Sequence, residues 1–152
     1  MANPFKSPVA HNLGLLLVRL PLGLLFCIKG YQKLATVGLS SFVSAHVKQV
    51  PTYLPTWFPR VYLNTLPFAE MALGALVIVG LLTRISGFLI SCLLISFLMI
   101  FGAYDTAGTW PFNPNFFFLG IALLLLLAGS GGIAVDARLF GGKGSAPMSK
   151  AH

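Results

Sequence analysis

The sequence predicts an all-α integral membrane bundle of four helices with its N- and C-termini on the same, cytoplasmic side, and three observations carry that prediction. First, 57% of the 152 residues are hydrophobic and 9% are charged, with a mean hydropathy of +0.87. Soluble domains carry about 25% charged residues, and an Asp plus Glu total of 3 leaves little to solvate a globular surface. Second, four apolar runs, at approximately residues 12–35, 62–82, 85–104 and 115–133, each approach the ~20 residues needed to cross about 30 Å of hydrocarbon. Third, the basic residues divide unequally. Lys6, Arg84, Arg138, Lys143 and Lys150 fall on the side of the termini, while Lys33, Lys48 and Arg60, with Asp105, fall on the other. Cytoplasmic loops carry the excess of Lys and Arg, which in a bacterium places the chain in the inner (cytoplasmic) membrane as a multi-pass protein. Residues 1–152 form one transmembrane domain, since the chain is too short for a bundle and a separate soluble domain.

The first run, LGLLLVRLPLGLLFCIKGYQK from Leu13 to Lys33, is apolar enough to span yet carries Arg19, Lys29 and Lys33. A cation deep in hydrocarbon costs at least roughly 2.5–3.5 kcal/mol, so each requires a partner or a watery cavity. Helical periodicity puts Arg19, Gly23, Phe26, Gly30 and Lys33 on one stripe. The stripe is basic at both ends, with two glycines that let another backbone come close. The run is too long for a secretory signal, Arg19 interrupts it, and no small-residue cleavage site follows; it is expected to remain as an anchor.

Residues 36–60 break the helical pattern. Pro51, Pro55 and Pro59 forbid a continuous helix, and Tyr53, Trp57 and Phe58 between them suit an interfacial loop. Ser41 to Val50 reads as a short amphipathic helix with Phe42 and Val43 facing lipid. The second run carries Glu70, with Gly74 one turn further on the same face. A short turn at Thr83–Arg84 leads into the third run. Residues 105–114, DTAGTWPFNP, form a second turn rich in aromatics and proline, and a Gly- and Ser-rich tail follows the fourth run.

Glu70 is the only acidic residue inside a predicted span. Helices one and two run antiparallel, which puts Glu70 in depth between Arg19 and the Lys29–Lys33 end. A buried ion network of Arg19, Glu70 and Lys33, with Lys29 as a fourth member, is therefore expected. Two readings of it stand side by side. It locks the two helices together, or Arg19, Lys33 and Glu70 form a polar pocket for a quinone headgroup or a small anion. One carboxylate among basic neighbours is thin support for proton conduction. Trp57, Phe58 and Tyr62 on one loop, with Tyr104, Trp110 and Phe112 on the other, form either an ordinary interfacial aromatic belt or a lid over a lipophilic ligand. Phe116, Phe117 and Phe118 continue that belt or touch lipid.

Several chemistries are set aside. His11, His46 and His152 lie at a mouth, in a loop and in the tail, so no pair of axial ligands faces one depth for haem, and no Cys/His cluster has zinc spacing. Cys27 and Cys92 lie at different depths, too far apart for a disulfide, and read as small apolar packing residues. The net charge of +7 comes from scattered cations without a basic stripe, which excludes nucleic acid as a partner. No catalytic residue and no covalently or side-chain-ligated cofactor is assigned. Quinone or lipid remain as ligands, and other integral membrane subunits and lipids as partners.

Three segments together resemble the DoxX family of small four-helix membrane proteins. In LLLVRLPLGLLFCIKGYQKL, Arg19, Gly23, Phe26, Gly30 and Lys33 match its first pattern. In AEMALGALVIVGLLTR the matches are Glu70, Gly74, Gly80, Leu81, Thr83 and Arg84. In GSGGIAVDARL they are Gly129, Gly131 and Asp136, with Ala134 where a serine is frequent. The resemblance implies that Arg19, Lys33 and Glu70 are the buried polar residues. It also implies kinship with the membrane subunit of thiosulfate:quinone oxidoreductase and with other membrane-associated redox complexes. Two functions follow: a non-catalytic subunit that scaffolds a larger respiratory or photosynthetic complex, or a subunit of a quinone-linked oxidoreductase with a headgroup site at Arg19, Glu70 and Lys33. A small transporter is disfavoured, because no inverted repeat or broken-helix pair is evident.

Overall fold

The computed structural model describes residues 8–50, 54–102 and 113–140, and every regular element among them is helical. The helices are α1 (Pro8–Tyr31), α2 (Leu39–His46), α3 (Phe58–Val79), α4 (Thr83–Phe101), α5 (Asn115–Ala128) and α6 (Val135–Phe140). Among the described residues, three stretches are long and apolar enough to cross a membrane: Val9–Thr36, Phe58–Val79 and Thr83–Ile100. The apolar α5 is shorter.

Helix α1 opens on Pro8, whose missing N–H would have had no intrahelical partner in any case. Pro21 lies inside the helix and removes one backbone hydrogen bond, a loss that membrane helices tolerate when their surroundings satisfy the freed carbonyl. The helix runs on through a wider π-type turn, Gln32–Thr36, and the Val37 N–H donates to the Gln32 carbonyl at 2.9 Å. Helix α3 begins at Phe58 rather than at the expected Tyr62, with Pro59 in its first turn. It ends where Gly80 turns left-handed (φ +72°): the Gly80 N–H donates to Val77 O at 3.2 Å and the Leu81 N–H to Leu76 O at 3.0 Å. That pair of bonds is a Schellman stop, which favours glycine.

Two boundaries depart from expectation in ways that matter. Ser41 to Val50 forms α2 and one further 3-10 turn, but its aromatic face points inward. Phe42 is buried in the core and Val43 packs against that core. The expectation that Phe42 and Val43 face lipid is therefore corrected: α2 folds back on α3, covering space left beside the end of α1. At the other end, α5 stops at Ala128 instead of Ile133. Gly129 and Gly131, both at positive φ, turn the chain out of the helix, and α6 follows in the stretch after the fourth apolar run, where no helix was expected.

Helix α1 packs along α3, and α4 along α5. Both contacts are made backbone to backbone. A Cβ placed on Gly23 would lie 2.8 Å from the Gly74 carbonyl oxygen, one on Gly74 would lie 2.7 Å from that of Gly23, and one on Gly30 would lie 2.6 Å from that of Pro67. Gly87 plays the same part on α4, where a Cβ would lie 2.9 Å from Leu126 N. Small residues permit this approach, and in a membrane it takes the place of a hydrophobic driving force between helices. Leu22, Leu63, Val77, Ile90, Leu94 and Leu125 fill the space between the two pairs.

A substitution that forces α1 and α3 apart is therefore expected to be severe. Gly74→Val should lower stability by about 1–3 kcal/mol or more through overpacking, read as a fall in the thermal midpoint of the detergent-solubilised protein. Gly14→Val, where a Cβ meets nothing within 4 Å, should leave stability within about 0.5 kcal/mol of wild type. Equal behaviour of the two variants would contradict the glycine contact.

Candidate functional site

The register set by the glycines determines where each buried charge goes. Gly30 faces Pro67 and Met71, Gly23 faces Gly74 and Ile78, and Arg19 faces Gly80. Glu70 therefore stands at the level of Lys29, one turn from Lys33 and nearly three turns from Arg19. At 1.5 Å rise per residue that last separation is about 15 Å, beyond the reach of an arginine side chain. The single network expected of Arg19, Lys29, Lys33 and Glu70 is thus corrected to two clusters at opposite ends of the helix pair.

At one end Glu70, only 2% exposed, forms a salt bridge through Oε1 with Lys33 Nζ. Lys33 Nζ also lies 5.3 Å from the ring centroid of Phe42 and 5.4 Å from that of Phe97, within cation–π range. The other carboxylate oxygen, Glu70 Oε2, is buried and has no hydrogen-bond partner among the described residues. The pair borders a cavity of about 320 Å³. Leu25, Phe26 and Lys29 of α1 contribute to its wall, as do Phe42 and His46 of α2 and Leu66 of α3. Leu94 and Phe97 of α4 and Phe118 of α5 complete the apolar surface, and Asn113, Pro114 and Asn115 border it where α5 begins. His46 is fixed by its Nδ1 contact with the Phe42 carbonyl at 2.8 Å and by its ring, 4.6 Å from that of Phe42. Asn113 donates to the Gly102 carbonyl at 3.0 Å and accepts from the Asn115 N–H at 3.1 Å, so one side chain both ties down the end of α4 and starts α5.

At the other end Arg19, 1% exposed, donates from Nη1 to Ser130 O at 2.8 Å and from Nη2 to Ile133 O at 2.9 Å. These carbonyls are available because α5 has ended and the chain no longer bonds to itself. Asp136, whose charge acts on the Arg19 guanidinium, accepts from the Leu82 N–H at 2.7 Å and the Thr83 N–H at 2.8 Å. A carboxylate from the far end of the chain thus caps α4, whose own Leu82 takes a positive φ and supplies no side-chain cap. The Asp136 N–H donates to Gly80 O at 3.0 Å, and the Gly132 N–H to Asn12 Oδ1 at 2.7 Å. The segment from Gly129 to Asp136 is laced across the α3–α4 turn.

The aromatic residues fare differently. Trp57 is largely exposed, and Phe58 stacks on Tyr62 with centroids 5.6 Å apart. Tyr62 shares a hydrogen bond with Ser96. Tyr53, Tyr104, Trp110 and Phe112 lie outside the described residues. Phe116 and Phe117 are exposed and Phe118 reaches the cavity. The sequence reading missed Phe42, His46, Phe97 and Asn113 as wall residues and left Asp136 without a task. The Asn-Pro-Asn spelling at 113–115 is a helix-start signal that pointed to one of them.

Comparison with known families is decisive: the DoxX family model matches residues 14–103. The chain belongs to the DoxX family. The matched part includes both the Lys33–Glu70 pair and Arg19, and in this DoxX chain Asp136 lies beyond it. No curated protein and no solved structure matched in the corresponding comparisons.

The cap makes a checkable statement about the distal cluster. Asp136→Ala should cost roughly 1–2 kcal/mol of stability, the usual value of a helix N-cap, measured by thermal unfolding in detergent. Asp136→Asn, which keeps one acceptor oxygen, should recover part of that loss.

Proposed function

We propose that this DoxX protein is a non-catalytic, four-crossing subunit of a larger respiratory or photosynthetic membrane assembly, and that it holds a lipophilic ring ligand of the quinone class at Lys33 and Glu70. The observation that carries this reading is the cavity: a largely apolar space of about 320 Å³ bordered by the ion pair of half-buried Lys33 with buried Glu70. Small-molecule sites are of this size, mostly apolar with a few convergent polar groups. An ionisable pair inside a membrane protein is a functional-site candidate by default. The amended site is Lys33, Glu70 and Lys29, with Arg19 outside it.

The fourth crossing consists of α5 and the segment after it. Fourteen residues of α5 reach about 21 Å, and irregular backbone at membrane depth is tolerated where protein satisfies it. Arg19 and Asn12 give that satisfaction to residues 129–133. Four crossings with the basic excess at the termini and Arg84 favour an orientation with both termini in the cytoplasm of a bacterial inner membrane. The exposed apolar faces, such as Leu17, Met99 and Leu127, suit lipid tails or the spans of neighbouring subunits.

Two measurements test this. A reporter fused after His152 should be active only as a cytoplasmic fusion, and activity in the opposite compartment would reverse the topology. The purified protein in nanodiscs should bind a decyl-tailed benzoquinone or its quinol saturably, in at least one redox state. Phe118→Trp, which fills the cavity, should weaken that binding by roughly tenfold, since one well-fitted apolar contact is worth about 1–3 kcal/mol. Absence of saturable binding in both redox states would remove the ligand from the proposal.

A further inference from the structure

The hydrogen-bond sense of Glu70, beside the cavity, is set by what Lys33 is already doing. An ammonium has three N–H groups and no acceptor. Lys33 Nζ is committed to Glu70 Oε1 and sits over the rings of Phe42 and Phe97 at 5.3 and 5.4 Å. Its protons are thereby directed at a carboxylate and two aromatic faces. Glu70, as the anionic partner of a salt bridge, only accepts. Its Oε2 is buried, with no donor among the described residues, and Glu70 borders the cavity. A buried acceptor left unmade costs the desolvation of that group, more so when it is charged. At Oε2 the unmet demand is therefore for a donor; Lys29 also borders the cavity but makes no hydrogen bond to that oxygen.

We propose that the cavity selects its occupant by a hydroxyl donated to Glu70 Oε2, so that it takes a lipophilic phenol or hydroquinone in preference to the same ring bearing only carbonyl or ether oxygens. This rests on the reading of the cavity as a ligand site and adds to it the chemical sense of recognition. A hydroquinone O–H completes the coordination of Oε2, whereas a quinone carbonyl would set acceptor against acceptor at the same place. A site built to bond a ligand hydroxyl rejects the analogue that lacks it far more strongly than a methylene-sized misfit would be rejected.

The test uses matched pairs on the intact protein in nanodiscs. Decyl-benzoquinol, kept reduced, is compared with decyl-benzoquinone, and the redox-inert 4-hexylphenol is compared with its methyl ether. The hydroxyl-bearing member of each pair should bind roughly tenfold tighter or more. Glu70→Gln, in which an amide N–H can take the place of Oε2, should erase or reverse that preference. Should Glu70→Gln fail to fold, the two wild-type comparisons still decide the matter. Equal binding within the pairs, or tighter binding of the quinone and the ether, overturns the donor rule while leaving the cavity as a ligand site. Binding by none of the four compounds overturns both.

Discussion

The arrangement depends on one contact: the backbone of α1 lying directly on that of α3 at Gly23, Gly30 and Gly74. Helices this close have no freedom to slide, because a shift of one residue would bring a side chain where only a hydrogen fits. Fixed register converts three positions in the sequence into three depths in the membrane. Glu70 comes level with Lys29 and within reach of Lys33, while Arg19 is carried past the end of α3 to Gly80. The separation of the two charged clusters is thus a consequence of where the glycines sit rather than of attraction between charges. The charges follow the glycines.

Most of the helical content was legible, because a membrane chain announces its spans by composition alone. The three long crossing-competent helices lie where the apolar runs place them, with ends moved by a few residues. The exceptions have physical causes. Helix α5 looked longer because Gly129 and Gly131 are embedded in apolar residues, and hydropathy does not see positive φ. Phe42 looked lipid-facing because an amphipathic segment next to a membrane is ambiguous: its apolar face can meet lipid or protein, and only the gap beside α1 chose. The partners of Arg19 were out of reach for a different reason. They are backbone carbonyls, which every residue possesses and no sequence pattern marks, and they become available only where α5 unwinds. Asp136 was marked as part of a pattern, but a helix cap supplied from more than fifty residues away leaves no local signature.

The distal cluster accounts for one feature of the proximal one. Arg19, Asp136 and Asn12 together bind the chain after α5 to the α3–α4 turn, so the end of α5 is held to α1 and α4 through polar contacts. With that end anchored, the start of α5 at Asn113–Asn115 borders the cavity as a placed wall rather than a loose end. The Asn113 bond to the Gly102 carbonyl fixes it from the other side. A helix of fourteen residues pinned at both ends has little latitude to collapse into the space between Glu70 and Phe118. The cavity persists because the elements around it are tied elsewhere.

Buried charge in this protein is handled in two ways. Arg19 spends two N–H groups on carbonyls and has Asp136 nearby, an arrangement in which protein answers protein. Its Nε, together with Thr83 Oγ1 and Ser86 Oγ, lacks a partner among the described residues, yet none of these three residues lines the cavity at the other end. Glu70 is satisfied on one side only, and its unmet oxygen belongs to a residue that borders open space of ligand size. Leaving a buried carboxylate oxygen without a donor is costly in a low-dielectric interior, and an apolar residue at position 70 would avoid that cost altogether. The proposed occupant would bring the missing half of that hydrogen bonding to an acid that is paired once, beside a cavity lined in part by Phe42, Phe97 and Leu94.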